Sequence, residues 1–344
     1  MITDLSELGE FGFIRSIADR GVIRPEGVIL SVGDDAAVFR AHPPGGSAPH
    51  SVTLLTTDML CEGVHFLRNR IPPLDLGYKC LAVNLSDMAA MGAHPREAFV
   101  SLALPPDLPV DYLEALYQGM DELARRFEVN ILGGDTTSSL RDLIINIALT
   151  GTAGESEILR RDKARIGDRI FLTGICGESR AGLELLLSGA NDNAYPSLRA
   201  AHVRPRPQIA EGQFLAASGV RCALDVSDGL SSDLRHIARA SGVGIRIDGA
   251  ALPASPELTQ YCRETEKDLT SFQLAGGEDY CLCGAVSPGL AEKTKRRFAD
   301  RFGYPLAFIG EVTAEPGIVL RLTKDDFIPL PSTGWDHFSS NSHG

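Results

Sequence analysis

Leu54-Leu-Thr-Thr-Asp-Met-Leu-Cys-Glu-Gly-Val-His-Phe66 runs from an apolar segment straight into two hydroxyls and a carboxylate. Ser51 to Leu55 is short and β-branched or apolar, which predicts a buried strand ending at Thr56, Thr57 and Asp58. Hard cations such as Mg²⁺ take oxygen ligands, often one or two carboxylates together with water and substrate phosphate. A strand that ends in such oxygens is half of a metal-phosphate site. A single run of this kind can equally close a turn or cap a helix, so repetition along the chain decides its meaning.

The pattern does repeat. Gly33-Asp34-Asp35 interrupts the apolar stretch Ile29 to Phe39, with Asp34 placed to share or exchange the role of Asp35. Leu74 to Met91 predicts one largely apolar helix with Asn84-Leu-Ser-Asp87 embedded in it. A buried aspartate must be paired or coordinate something, and Lys79 lies about two turns away, beyond the usual neighbour spacing. The strand Val129 to Leu132 leads into Gly133-Gly134-Asp135-Thr136-Thr137, whose glycines allow backbone N–H groups close to a phosphate. Arg221 to Leu224 leads into Asp225-Val-Ser227-Asp228, an echo of Asn84-Leu-Ser-Asp87, and Gly276-Gly277-Glu278-Asp279 precedes the strand Leu282 to Val286. Asp228 also suits a helix N-cap. Shared cation binding accounts more economically for Asp35, Asp58, Asp87, Asp135, Asp225 and Asp228 than six separate caps, and such ions can orient phosphates for in-line transfer.

The rest of the chain frames these motifs. Helices are predicted over Glu7 to Ala18, Tyr112 to Phe127, Ser231 to Ala240 and Ser287 to Phe302, with strands over Glu97 to Leu104, Leu143 to Thr152, Leu306 to Val312 and Ile318 to Leu322. Pro43 to Pro49 falls in a proline- and glycine-rich loop to which no chemistry is assigned. A basic stretch, Arg160, Arg161, Lys163 and Arg165, follows a boundary near Gly154, where it either stays solvated or serves a triphosphate. The glycine-rich loop after the strand Arg169 to Leu172 lacks the Gly-Lys-Ser/Thr of a P-loop. Trp335, in a polar tail, offers a surface for stacking a flat ligand or for packing the tail.

A chain of 344 residues, 44% of them hydrophobic, is long enough for two α/β domains, divided here into 1–153 and 154–344. The net charge of −12 and the lack of a basic stripe argue against nucleic acid as a partner. Seven scattered cysteines without a C-x-x-C predict reduced thiols, and eight histidines show no zinc spacing. No apolar run reaches membrane-spanning length and the first residues lack signal-peptide features, so a soluble cytoplasmic protein is expected.

Taken in order, Gly33-Asp-Asp-Ala-Ala37, Thr56-Thr-Asp58, Glu62-Gly-Val-His-Phe66, Leu81-Ala-Val-Asn-Leu-Ser-Asp87, Ala89-Ala-Met-Gly-Ala93, Gly133-Gly-Asp-Thr136, Asp225-Val-Ser-Asp-Gly-Leu230 and Gly276-Gly-Glu-Asp-Tyr280 span nearly the whole chain. This series resembles the thiamine-monophosphate kinase family, a member of the aminoimidazole ribonucleotide synthetase-like group. The resemblance implies a two-domain α/β fold whose N-terminal sheet forms a homodimer interface. It also implies ATP as co-substrate, several Mg²⁺ ions, and direct transfer of the γ-phosphoryl group to thiamine monophosphate with no covalent enzyme intermediate. Carried over by position, Asp35, Thr56, Thr57, Asp58, Asp87, Asp135, Asp225 and Asp228 would hold metal. Gly134, Asp135, Arg161 and Ser227 would meet ATP, and His65, Glu278 and Trp335 would meet thiamine monophosphate. The Cys281-Leu-Cys283 run and the Pro43 to Pro49 loop depart from the family pattern. Rival expectations are a sibling ATP-using synthetase, a two-metal phosphohydrolase that activates water, and a non-catalytic nucleotide-binding regulator.

Overall fold

The computed structural model describes residues 28–30, 34–40, 51–189, 194–322 and 326–330. The helix expected over Glu7 to Ala18, the Pro43 to Pro49 loop and Trp335 lie outside the described residues.

Strands β1 (Val28–Leu30), β2 (Ala37–Phe39), β3 (Ser51–Cys61), β4 (His94–Leu104), β5 (Asn130–Ser138) and β6 (Ile144–Gly154) form one sheet in the order β1-β2-β3-β6-β4-β5. All pairs are antiparallel except β4 with β5. Burial alternates along β3 and β6, so one face of this sheet is apolar and covered while the other is open. Helix α1 (Pro73–Ala90) lies on the covered face against β3, β6 and β4, and α2 (Val110–Phe127) packs on α1. Helix α1 is buried on nearly every side, as its apolar composition requires.

The first strand does not end where the apolar run ends. β3 continues through Thr56, Thr57 and Asp58 to Cys61, paired with β6 along its whole length. β-Branched threonines suit a strand, and period-two alternation sends Thr56 inward, where it is 6% exposed, and Thr57 outward. β5 likewise carries Gly133 to Ser138 as strand, not loop. Gly134 is required by that pairing, since a Cβ there would stand 1.7 Å from the Val100 carbonyl oxygen.

The second sheet contains β7 (Arg169–Leu172), β8 (Cys222–Asp225), β9 (Gly244–Asp248), β10 (Leu282–Val286), β11 (Ala307–Thr313), β12 (Gly317–Arg321) and β13 (Phe327–Pro329), in the order β13-β12-β9-β11-β7-β10-β8. Around it lie α3 (Glu178–Ser188), α4 (Pro196–Val203), α5 (Ile209–Ala217), α6 (Leu230–Ser241), α7 (Pro256–Glu264), α8 (Leu269–Ala275) and α9 (Pro288–Phe302). α5 and β8 both reach α1, so the helix that carries Asp87 bridges the two halves.

Close helix contact depends on glycine at both ends of the α1/α2 crossing. A Cβ on Gly77 would meet the Leu116 oxygen at 1.8 Å, and one on Gly119 would meet the Leu74 oxygen at 1.9 Å. Gly119→Ala is therefore expected to force the helices apart and to lower stability by about 1–3 kcal/mol, read from urea unfolding. An unchanged midpoint would show that the crossing tolerates the extra methyl group.

Candidate active site

Four carboxylates from four separate segments meet between the halves. Asp58 comes from the middle of β3, Asp87 from the last turn of α1, Asp225 from the end of β8, and Asp35 from the bend before β2. Carboxylate oxygens of Asp35, Asp87 and Asp225 lie within 4.8 Å of one another. Thr56 donates to Asp87 Oδ2, and Ser86 donates to Asp225 Oδ2 at 2.5 Å. Ser86, next to Asp87 in the chain, thus aims Asp225, and Thr56, two residues before Asp58, aims Asp87.

This concentration of negative charge is held at a cost. Burial, and then the charge of Asp35, pushes the Asp58 carboxyl up to about 6. The same two causes raise Asp225 to about 8, and burial followed by the Asp58, Asp225 and Asp35 charges puts Asp87 well above the ordinary carboxylate range. Arg161, from the turn Arg161–Lys163, offsets part of the repulsion by pairing with Asp34 at 3.2 Å and Asp35 at 2.5 Å. Burial, and then Asp35, still raises Asp34 to about 7. The Oδ2 atoms of Asp35 and Asp58 are buried and make no hydrogen bond. Buried acceptor oxygens without donors, on acids that repel one another, fit divalent cations coordinated by oxygen.

Not every predicted ligand joins this group. Thr57 and Asp135 point to the open face of the first sheet: Thr57 aligns with Ala148 and Phe99, and Asp135 with Ser101 and Asn146. Thr57 Oγ1 lies 3.0 Å from Asn146 Oδ1, and Asp135 accepts from the Thr136 backbone N–H at 2.9 Å. Asp135 also sits on the edge strand, three strands from β3. Asp228 precedes the N-cap Gly229 of α6 instead of capping it, and groups with Asp233 and His236. Of the basic stretch, Arg161 faces the carboxylates, while Arg160 turns to Asp162 at 2.7 Å and, with Lys163 and Arg165, lines a separate cavity of about 350 Å³.

Two of the expected substrate contacts, His65 and Glu278, lie on separate loops. His65 ends a turn in which the Cys61 N–H donates to its Nδ1 at 3.0 Å, and Glu62 braces that turn by accepting from Arg68 and the Leu143 N–H. Glu278 follows Gly276-Gly277 in the segment before β10. Its loop is fastened to the Asp225 segment, since the Glu278 N–H donates to the Ser227 carbonyl at 2.6 Å. Lys79, considered above only as a partner for Asp87, pairs instead with Glu278 at 3.0 Å. No short-range spacing could have revealed a contact between residues 199 positions apart.

The fold matches known proteins in both halves. The family model described as AIR synthase related protein, N-terminal domain, matches residues 33–153, and its C-terminal companion matches residues 165–323. These define the class as two-domain AIR synthase related proteins. The thiamine-monophosphate kinase of Escherichia coli (strain K12) is 38% identical over 96% of this chain and 99% of its own length. That of Bacillus subtilis (strain 168) is 36% identical over 96% of this chain and 100% of its own length. The solved structure of AaThiL complexed with AMPPCP and TMP superposes with a TM-score of 0.84 at 33% identity, covering 98% of this chain and 99% of that one. The chain belongs to the thiamine-monophosphate kinase family.

The raised carboxyls make stability depend on pH in a defined direction. Each binds its proton more tightly folded than unfolded, so cation-free protein should lose stability as pH rises from the ordinary 3.8 through about 6 for Asp58 and about 8 for Asp225. Adding Mg²⁺ should raise the melting temperature more at about pH 8 than at about pH 5, where protons compete for the same oxygens. Equal Mg²⁺ shifts at both pH values would show that these carboxylates do not hold the ion.

Proposed function

We propose that this chain transfers the γ-phosphoryl group of ATP to thiamine monophosphate, giving thiamine diphosphate and ADP. The observation that carries this is the meeting of Asp35, Asp58, Asp87 and Asp225, in a member of the thiamine-monophosphate kinase family.

Bound at these carboxylates, Mg²⁺ would neutralise and orient the phosphates of both substrates. The chain supplies position. Thr56 and Ser86 fix Asp87 and Asp225, so their remaining oxygens face inward. Arg161 spends its charge on Asp34 and Asp35 in the cation-free site, and cations on those acids would leave its guanidinium for the nucleotide phosphates. Ser227 and Gly134 are assigned to ATP by their place in the family motifs. A phosphate oxygen of thiamine monophosphate is already ionised at neutral pH, so it can attack the γ-phosphorus in line without a general base or a side-chain nucleophile. Glu278, with His65 beside it, supplies negative charge for the cationic thiazolium of the substrate.

The open face of the first sheet supports a homodimer. Leu55, Met59, Phe99 and Leu132 are 39%, 55%, 42% and 61% exposed on or beside it, an apolar surface that a second copy would cover. Asp135 and Thr57 lie on that same face, which would place them at the junction of two copies. The reduced thiols and the use of ATP point to the cytoplasm, and no helix among the described residues is long and apolar enough to cross a membrane.

Incubation with ATP, Mg²⁺ and thiamine monophosphate should yield thiamine diphosphate by chromatography, and Asp58→Asn should lower kcat on the order of 100-fold or more. ATP consumption without thiamine diphosphate would sink the proposal and favour hydrolysis or a sibling substrate. Phe99→Asp should shift the protein from dimer to monomer in light scattering; a wild type that is already monomeric would remove the dimer.

A further inference from the structure

The amine of Lys79 is one of the most completely sealed charges in the protein, with 1% of its side chain exposed. An ammonium withdrawn from water stays charged only beside a compensating anion. Its anion is Glu278, with Oε1 at 3.0 Å and Oε2 at 3.1 Å, contributed by the opposite half of the molecule. His202 also lies 3.5 Å from the amine, and its other ring nitrogen is 3.1 Å from Ser179 Oγ. Burial, and then the Lys79 charge, holds His202 neutral by lowering it to about 3, so the fixed positive charge beside Glu278 is that of lysine.

The pair is asymmetric. Lys79 is enclosed in α1, whereas the Glu278 side chain is 30% exposed, so the pair links a sealed ammonium to a side chain that solvent can reach, with Oε2 also 3.3 Å from His202 Nδ1. Its backbone is left-handed, with φ of 53°, a conformation a non-glycine residue adopts at some cost. The flanking residue holds it there: Asp279 accepts from the backbone N–H groups of Gly177 at 2.8 Å and Ser179 at 3.3 Å. Burial opposes the charge of Glu278, but the Lys79 ammonium beside it keeps its carboxyl below the ordinary range. A salt bridge serving stability alone gains little over an apolar pair of the same volume, and needs neither the strained backbone nor a partly exposed partner.

We infer that Lys79 is the positioning residue for Glu278: from the helix interior it fixes the carboxylate that receives the cationic part of the substrate, and it acts on neither phosphate chain. This rests on the substrate assignment proposed above.

The test compares wild type, Lys79→Met, Glu278→Gln and the double variant in kcat, in KM for thiamine monophosphate and in KM for ATP. Lys79→Met should raise KM for thiamine monophosphate about 10- to 100-fold while leaving KM for ATP within about twofold. The double variant should match Glu278→Gln alone, because Lys79 acts only through Glu278. The double variant also carries no orphaned charge, so it gives an answer if Lys79→Met fails to fold. Independent, multiplying losses, or a KM for ATP that rises with the other, would overturn the inference. A wild type that forms no thiamine diphosphate would remove the substrate assignment and this inference together. A wild type that turns over normally beside an unaffected Lys79→Met would remove the inference alone.

Discussion

Repulsion among Asp35, Asp58, Asp87 and Asp225 is the constraint to which the surrounding structure answers. Carboxylate oxygens of three of them lie within 4.8 Å of one another and largely out of water, where like charges interact far more strongly than at a surface. Nothing in the local sequence preferences of two strands, a helix end and a bend would bring them together. They are brought together by α1, which is buried against both halves and packed closely enough to α2 and α5 that glycines stand at the contacts. Apolar burial along this helix supplies the free energy that the acids consume. The unsatisfied Oδ2 atoms of Asp35 and Asp58 mark where that account remains open until a cation arrives.

The alternation of β3 explains how one short run can serve two surfaces. Thr56 and Asp58 face α1 and the carboxylates, while Thr57, between them, faces away. A single-residue slip would reverse the assignment, and full-length pairing with β6 prevents it. Asp135 falls on the outer side by the same register, through Ser101 and Asn146. The inner acids therefore form a complete group within one chain, whereas the outer residues lie on the apolar face that a second copy would cover.

Much of this was legible in the residues. Short apolar runs leading into Asp58 and Asp225 marked two of the converging segments, and the apolar helix around Asp87 showed that this acid needed a partner. The end of β3 was misplaced because hydroxyls and a carboxylate look like a strand terminus when their inward neighbours are unknown. Sequence periodicity reports which side chains share a face, not what stands opposite that face. For the same reason Lys79 gave no local sign of Glu278, and Arg161 gave none of Asp34. The elements α4, α5, α7, α8 and β9 carry no motif, and they escaped a search led by motifs, although α5 and α4 supply part of the packing on α1.

Two buried charge systems thus lie side by side with opposite degrees of completion. Lys79 and Glu278 are already neutralised within the protein, so this pair needs no ion and is ordered before any ligand binds. Among the described residues, the one cation paired with the four aspartates is Arg161, which holds Asp35 and divides its charge with neighbouring Asp34. ATP is itself strongly anionic, and the chain carries a net charge of −12, so a nucleotide approaching the bare cluster would be repelled. Cations on the carboxylates would remove that repulsion, whereas Glu278 carries its counter-charge within the protein.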